Sequence, residues 1–399
     1  MQFKTLVAAA AVASVSSAQQ PPNLTAALNS TQELSILKGL LGQNPDLVAT
    51  LANASNITIF APSNSALEPL AQNEEYTAMA AMPGYIAAFL SYHVFNGTVY
   101  AANISETPMF PHSLLMNKTF TNVTGGQVAG VRARDDTVTV SSGLGFTANV
   151  TKADVNITNG VVHIVDNILY IPPNASTVAL AADLTALAGA LEATNLTDTI
   201  DSAKDITIFA PANEAFEAIG SALSTLTAEQ AAAILQYHVV NGTVAYSSLL
   251  SNGTSVDSSS GQPLNITIDD GEVFVNQARV IAADVLLANG VLHVIDSVLN
   301  PNSTIAPNPD EDNPVVAYSG ASSGMVPYTS GIPKPTGTSM VVTTTDAVAD
   351  GYTAAPSDAL SSASQSAADA TSSAGAAQVT GAIGAAALFG GAAYLAVQM

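Results

Sequence analysis

Residues 57–67 read ITIFAPSNSAL, and residues 206–216 repeat them as ITIFAPANEAF. Two further blocks recur in the same order: YHVFNGTV at 92–99 as YHVVNGTV at 237–244, and NGVVHIVDNIL at 159–169 as NGVLHVIDSVL at 289–299. The offsets between copies are 149, 145 and 130 residues, so the loops between blocks differ in length. Solenoid repeats have periods of only ~20–50 residues. The pattern therefore indicates two copies of one globular domain.

Each block has the local pattern of a strand or a helix. The ITIF segments are β-branched strands, and Pro62 and Pro211 end them because proline forces the preceding residue out of helical space. The late VVHIV and VLHVI segments are apolar on both faces, which predicts interior strands. We expect Thr227 and Gln230 to form a capping box, and Pro83 to take the first position of a helix. Helices early and strands late in each copy predict the α+β class.

The three ordered blocks resemble the fasciclin domain: TIFAP-x-N, then Tyr-His, then an Asn-Gly-Val strand that contains His and ends in Asp. The resemblance covers roughly residues 24–300 and looks like the fungal, lipid-anchored kind of tandem fasciclin protein. It implies two fasciclin-like domains, residues 19–172 and 173–301, each a β-sandwich or wedge with packed helices. It also implies cell adhesion through protein or carbohydrate partners, without catalysis.

The start of the chain predicts the secretory route. Residues 1–18 combine Lys4, an apolar run and small residues ending at Ala18, the pattern of a signal peptide that is cleaved after Ala18. Sixteen Asn-x-Ser/Thr sequons agree with that route, since N-glycans require a surface position in a secreted protein. The sequons begin at Asn23, Asn29, Asn53, Asn56, Asn96, Asn103, Asn117, Asn122, Asn149, Asn156, Asn174, Asn195, Asn241, Asn252, Asn265 and Asn302.

The other end predicts a stalk and a lipid anchor. Residues 302–375 are rich in Ser, Thr, Pro, Gly and Ala, which is typical of a disordered, O-glycosylated stalk. Residues 376–399 are an apolar tail without basic residues, preceded by small residues that include Ser373. We expect the tail to be removed and a glycosylphosphatidylinositol (GPI) anchor to be attached at Ser373. A retained helix at the end of the chain is the alternative.

Charge and cysteine content narrow the classes of partner. The formal net charge is −22, so the chain repels nucleic-acid phosphate. It has no cysteine, which excludes disulfides and cysteine-ligated metal. The acidic runs at 269–272 and 310–312 lack the alternating spacing of a calcium loop. We therefore expect no cofactor, and partners that are cell-surface or matrix proteins, glycans, or the membrane through a lipid anchor.

Four of the five histidines recur at matched positions near a tyrosine or an aspartate. The matched set is Tyr92, His93, His163 and Asp166 in the first copy and Tyr237, His238, His293 and Asp296 in the second. Apolar neighbours favour half-buried imidazoles that bond to backbone or carboxylate and fix a strand to a helix. One alternative is a metal held by the two histidines of each copy, although zinc requires three or four ligands. The other, implied by the family resemblance, is an adhesion motif formed by the Tyr-His pair and the segment around the late Asp.

Three classes of function stay open. Adhesion at the extracellular face of the plasma membrane or cell wall is favoured, and a structural cell-wall or vacuolar-membrane glycoprotein without a specific ligand is the alternative. A hydrolase is disfavoured, because Ser63, the serine that could pair with His93, is replaced by Ala212 in the second copy. The segment GASSG at 320–324 fits a nucleophile elbow but is expected to lack the strand and helix which that motif needs.

Overall fold

The computed structural model describes residues 20–332, apart from residues 73, 136, 270, 311, 312 and 327. The predicted signal peptide, Ser373 and the C-terminal tail lie outside the described residues, as does the predicted stalk after residue 332. Within the described part, no helix combines the length and the apolar character needed to cross a membrane.

The first domain has its helices early and most of its strands late, as the α+β prediction requires. Its helices are α1 (Leu24–Ser30), α2 (Ser35–Gly42), α3 (Pro45–Asn53), α4 (Asn64–Leu67), α5 (Glu74–Ala80) and α6 (Tyr85–Tyr92). Its strands are β1 (Ile57–Pro62), β2 (Val94–Asn96), β3 (Gly130–Arg134), β4 (Thr137–Ser141), β5 (Thr147–Ile157) and β6 (Gly160–Val165).

The second domain repeats this order. Its helices are α7 (Ala175–Ala181), α8 (Thr185–Ala193), α9 (Thr197–Ser202), α10 (Asn213–Ala218), α11 (Gly220–Leu223) and α12 (Ala228–Tyr237). Its strands are β7 (Ile206–Pro211), β8 (Val239–Val240), β9 (Ser255–Asp257), β10 (Pro263–Asp269), β11 (Glu272–Val275), β12 (Ala278–Leu287) and β13 (Gly290–Ile295).

In each domain the first long strand lies parallel to the last strand. The strand order is β2-β1-β6-β5-β4-β3 in the first domain and β8-β7-β13-β12-β11-β10-β9 in the second. The late strand β6 pairs with β1 on one side and β5 on the other, and β13 lies in the same way between β7 and β12. The prediction that the late blocks are interior strands is therefore confirmed.

The sheet of the first domain separates two apolar cores, because side chains alternate between the faces of a strand. Ile57 and Ile59 of β1 pack with the helices, whereas Phe60 packs with β3, β4 and β5. Register shifts in β5 mark where this sheet is irregular, and such bulges bend a strand. The second domain places Ile208 and Phe209 in the same two environments. The predicted β-sandwich or wedge with packed helices is confirmed.

Two predictions about helix starts have different outcomes. The capping box is present: the Thr227 hydroxyl accepts from the Gln230 amide (3.3 Å), and the Gln230 side chain accepts from the Thr227 amide (3.0 Å). The prediction for Pro83 is wrong, because α6 begins at Tyr85. Gly84 precedes the helix with a φ of +80°, a left-handed conformation that reverses the chain between Pro83 and the helix.

Residues 314–332, called the strap below, differ from the extended stalk that their composition predicts. Tyr318, Val326 and Tyr328 are half-buried against the helical core of the second domain. These few apolar side chains pack against the domain, although the Ser/Gly/Pro-rich composition of the segment as a whole predicts a disordered stalk. The strap therefore packs against the second domain, beyond the boundary predicted at residue 301. Within the strap, GASSG at 320–324 is flanked by neither a strand nor a helix, so the nucleophile-elbow geometry is not formed.

The loop 114–127 of the first domain makes several hydrogen bonds to the second domain. The Asn122 amide donates to the Ala203 carbonyl (2.9 Å), and the Gln127 amide donates to the Leu287 carbonyl (3.0 Å). Leu144, also from the first domain, is buried within the apolar core of the second. These contacts join two domains that the sequence repeat alone presents as independent units.

Candidate functional site

The histidines of the two Tyr-His motifs each join the end of a helix to the loop that follows the last strand. His93 ends α6, where its Nδ1–H donates to the Phe89 carbonyl (2.7 Å) and its Nε2 accepts from the Leu169 amide (2.9 Å). His238 makes the same two bonds at the end of α12, at 2.8 and 2.9 Å. A carbonyl can only accept and an amide can only donate, so both imidazoles are held in the neutral Nδ1–H tautomer.

Burial keeps these two imidazoles neutral. His93 is 2% exposed and His238 is 1% exposed. Burial lowers the pKa of each from 6.5 to about 4, and the hydrogen bond to the helix carbonyl opposes that shift only in part. Protonation would place a second N–H against the Leu169 or Leu299 amide, so the charged form loses a hydrogen bond as well as its hydration.

The tyrosines of the same motifs are buried and bonded to distant backbone. The Tyr92 hydroxyl donates to the Val128 carbonyl (2.8 Å). The Tyr237 hydroxyl donates to the Pro263 carbonyl (3.1 Å) and accepts from the Asn276 side-chain amide (2.8 Å). Both rings are at most 4% exposed. A partner in solution therefore cannot touch the Tyr-His side chains in this conformation.

The late aspartates fasten the end of the last strand to its neighbour. Asp166 accepts from the Asn149 amide (2.7 Å), and Asp296 accepts from the Arg279 amide (2.9 Å). Asp166 is exposed, whereas Asp296 is half-buried. Burial raises the pKa of Asp296 to about 6, although its hydrogen bonds and the Arg279 charge act in the opposite direction. Each late Asp therefore accepts a hydrogen bond from a backbone amide of the neighbouring strand.

A second matched pair, which the sequence reasoning missed, lies beside the late-strand histidines. Asp154 and Asp284 have φ angles of +59° and +61° at the register shifts of β5 and β12. Asp154 accepts from the Ala101 amide (3.0 Å), and Asp284 accepts from the Ser247 amide (2.8 Å). The signal was available in the sequence, since Ala-Asp-Val recurs at 153–155 and 283–285.

Each late-strand histidine is hydrogen-bonded to the backbone through both of its ring nitrogens. The Nε2–H of His163 donates to the Val99 carbonyl (2.9 Å), and that of His293 donates to the Ala245 carbonyl (2.8 Å). Their Nδ1 atoms accept from the backbone amides of Asp154 and Asp284, at 3.3 and 3.4 Å. Burial lowers the pKa of both imidazoles from 6.5. Each ring thus holds the backbone bulge beside it.

This hydrogen bonding decides what the histidines can do chemically. Both ring nitrogens of each of the four matched histidines are hydrogen-bonded to backbone groups, so neither nitrogen is free to bind a metal. Across the described ranges, no cluster of three or more His, Asp or Glu side chains could hold a metal ion. Ser63 caps α4 by accepting from the Ala66 amide (3.3 Å), which is a structural role.

Most sequon asparagines lie at the surface. Asn122 and Asn174 are half-buried, and the other fourteen are exposed. Asn122 donates to two carbonyls of the second domain, and Asn174 donates to Asp201 while capping α7. A glycan on either nitrogen would compete with these bonds, so we expect both positions to be poor glycosylation sites.

Comparison with known proteins gives a consistent set of relatives. The fasciclin domain model matches residues 32–172 and 182–301. A fasciclin-like arabinogalactan protein of Arthroderma benhamiae is 32% identical over 76% of this chain and 73% of its own length. Fasciclin-like arabinogalactan protein CTB11 of Cercospora beticola is 32% identical over 75% of this chain and 81% of its own length.

A solved structure of a FAS1 domain pair from the insect cell adhesion molecule fasciclin I also aligns with this chain. The alignment covers 67% of this chain and 97% of that chain, at 18% identity and a TM-score of 0.33.

Proposed function

This chain belongs to the fasciclin domain family, and from that premise we propose that it is a cell-surface adhesion glycoprotein that binds protein or carbohydrate partners through its tandem domains. The observation that carries the proposal is the distribution of sequons. None begins between Asn56 and Asn96 or between Asn195 and Asn241. These matched stretches run from β1 to α6 and from β7 to α12. Glycans at the remaining positions would leave the surface of these two stretches, called the sequon-free side below, open to a partner.

The Tyr-His motifs have a different role in this proposal. Their side chains are buried and bonded to backbone, so we assign them to holding the helices on the sheet. The partner then contacts exposed residues of the sequon-free side, such as Ala78 of α5. Adhesion and the structural role of the motifs are thus separate properties that separate experiments can measure.

A cell-aggregation assay tests adhesion and its location together. Deleting the gene should reduce aggregation, and the parent chain should restore it. A chain with Ala78→Asn and Ala80→Thr gains an Asn-x-Thr sequon at position 78, on the sequon-free side, and its glycan should block the partner. The matched control, Ala78→Gln with Ala80→Thr, lacks the sequon and should aggregate normally. If the new glycan leaves aggregation intact, the partner surface lies elsewhere.

The alternative is a structural cell-wall or vacuolar-membrane glycoprotein that spaces and shields a surface through its glycans. The exposure of fourteen sequon asparagines favours such a coat as much as it favours adhesion. A glycan array probed with the soluble domains separates carbohydrate binding from both protein binding and a passive coat. Normal aggregation of the deletion strain, together with an altered cell wall, would favour the alternative.

We further propose that the protein is held at the extracellular face by a GPI anchor at Ser373, with the vacuolar membrane as the second choice of location. The small residues before an uncharged apolar tail support the proposal. A phosphatidylinositol-specific phospholipase should release the protein from membranes. Retention in the detergent phase, while a control anchored protein is released, would contradict the anchor.

A further inference from the structure

The strap lies on the helices of the second domain through backbone contacts. The Ser221 amide, at the start of α11, donates to the Ser322 carbonyl (3.2 Å), and the Ser322 amide donates back to the Ser221 hydroxyl (2.8 Å). The Gly324 amide donates to the Glu217 carbonyl of α10 (3.0 Å). An extended segment thus satisfies polar groups at the ends of two short helices, as a bound peptide would.

Two glycines form the groove in which the strap lies. A Cβ atom on Gly189 of α8 would stand 1.9 Å from the Tyr328 carbonyl oxygen. A Cβ atom on Gly220 would stand 2.4 Å from the Gly324 carbonyl oxygen. The backbone of the strap therefore approaches the helices as closely as the absence of side chains permits. Glycine at both places is what makes this surface a groove for an extended chain.

The first domain has the first of these glycines but not the strap. Asn64 and Asn213 occupy matched positions, since their side chains accept from the amides of Ile36 and Ala186, each at 3.0 Å. Gly39 stands three residues after Ile36, as Gly189 stands three after Ala186. A Cβ atom on Gly39 would have no neighbour within 4 Å. Gly39 is therefore an internal control for any effect at Gly189.

The strap is bound in a way that allows it to detach. Its described residues form no helix or strand, and much of it is exposed, with Met325 92% exposed. Segments with few buried contacts open at a low cost in free energy. Residues 302–313 connect it to the domain, and twelve extended residues can span up to ~40 Å.

We propose that the groove of the second domain is a peptide-binding surface whose occupant can be the strap of a second copy of this chain. Exchange between copies costs little, because the exchanged strap makes the same contacts as the strap of the same chain. The connecting segment supplies the reach, and the glycines supply the specificity for an extended backbone. This pairing of copies does not depend on the proposed adhesion function, since it is measured with purified protein.

The absence of cysteine makes disulfide trapping a direct test. One chain carries Ser221→Cys and a second, distinguishable chain carries Ser322→Cys. In the mixture, a heterodimer linked between these positions should exceed the control by about tenfold, because groove binding raises the effective concentration of the two thiols. The control replaces the first chain by Gln72→Cys, which is exposed and stands eight residues after Asn64, as Ser221 stands eight after Asn213.

Two further variants locate the site. Gly189→Ala in the Ser221→Cys chain should abolish the heterodimer, whereas Gly39→Ala should leave it unchanged. A chain that carries both Ser221→Cys and Ser322→Cys should form an internal disulfide, which shows that the strap occupies the groove of its own chain. Unchanged thermal midpoints establish that all variants fold. Cross-linking no greater than that of the Gln72→Cys control would overturn the exchange. Equal cross-linking with Gly189→Ala and Gly39→Ala would show that the strap of the second copy does not bind in the groove at Gly189.

Discussion

At the residue scale, each Tyr-His histidine joins the end of a helix to the loop after the last strand, and a single tautomer makes both hydrogen bonds. His93 donates to a carbonyl inside its own helix and accepts from an amide 76 residues further along the chain. Phenylalanine could fill the same volume but could satisfy neither group, and a lysine would bring a charge into a buried site. The need for one donor and one acceptor on a flat ring explains why histidine stands at both positions.

Replacing His238 by alanine is expected to lower the free energy of unfolding by about 1–3 kcal/mol, because the Ile234 carbonyl and the Leu299 amide lose their partner in a buried site. Asparagine retains a donor and an acceptor, so His238→Asn should lose less. The same order is expected at His93. Thermal midpoints measured alongside cell adhesion test this.

The exposed His112 provides the matched control, since His112→Ala should change the midpoint little. Unchanged midpoints at His93 and His238 with lost adhesion would contradict the structural role. A midpoint that depends on chelator would instead favour a metal site.

The same histidines should make the protein less stable in acid. Unfolded histidine titrates near 6.5, but His93 and His238 titrate at about 4 in the folded protein. The unfolded state therefore binds more protons between these values, and the free energy of unfolding falls as the pH drops from 6.5 toward 4. Above 6.5 their contribution is constant. Denaturant unfolding at several pH values measures the slope.

Asp296 acts in the opposite direction. Its folded pKa of about 6 exceeds its ordinary 3.8, so the folded state binds a proton first and gains stability as the pH falls through 6. His238→Asn should therefore reduce the slope by about one proton, and Asp296→Asn should steepen it. A slope that neither substitution changes would show that other groups control the acid response.

At the element scale, most features with a strong local signal could be predicted, although the helix start expected at Pro83 was wrong, whereas the bulges and the strap could not be predicted. The strands β1 and β7 follow from β-branched runs ended by proline, and the capping box follows from two residues three apart. The bulges at Asp154 and Asp284 depend on the register with the adjacent strand, which a linear pattern does not contain. The strap was missed because its apolar residues are too sparse to show a period.

The bulge aspartates should matter more in the second domain than in the first. Asp284 accepts from both the amide and the hydroxyl of Ser247, and the corresponding Asp154 accepts from the Ala101 amide. Asp284→Ala should cost about 1–3 kcal/mol, since it leaves those donors unpaired and puts alanine at a positive φ. Asp284→Asn should cost less, because asparagine tolerates that conformation.

Denaturant midpoints for these variants, with Asp154→Ala as the matched comparison, test the bulge. A smaller loss for Asp284→Ala than for Asp284→Asn would show that the carboxylate is not supporting the bulge. A larger loss at Asp154 than at Asp284 would contradict the expected order of the two domains.

At the scale of the whole molecule, the repeat suggests two independent domains, and their interface modifies that expectation. Each copy has both apolar cores of its own, which favours separate folding. Leu144 nevertheless sits in the core of the second domain, and the buried Gln127 bonds to the Leu287 carbonyl. The second domain therefore includes a side chain that its own segment of sequence does not supply.

Expressed separately, residues 19–172 and 173–332 should each unfold cooperatively, but the second should unfold at a lower denaturant concentration than it does in the intact chain. Removing Leu144 takes an apolar side chain out of a packed core, and a Leu→Ala change in such a site costs ~2–5 kcal/mol. Leu144→Ala in the intact chain should therefore lower the midpoint of the second domain, although the residue belongs to the first. Leu249→Ala, at a position that is 67% exposed, is the matched control.

Unfolding midpoints of the two separate halves equal to those of the intact chain would show that the interface contributes nothing to stability. Loss of a cooperative transition in both halves would show instead that the two copies form one inseparable folding unit.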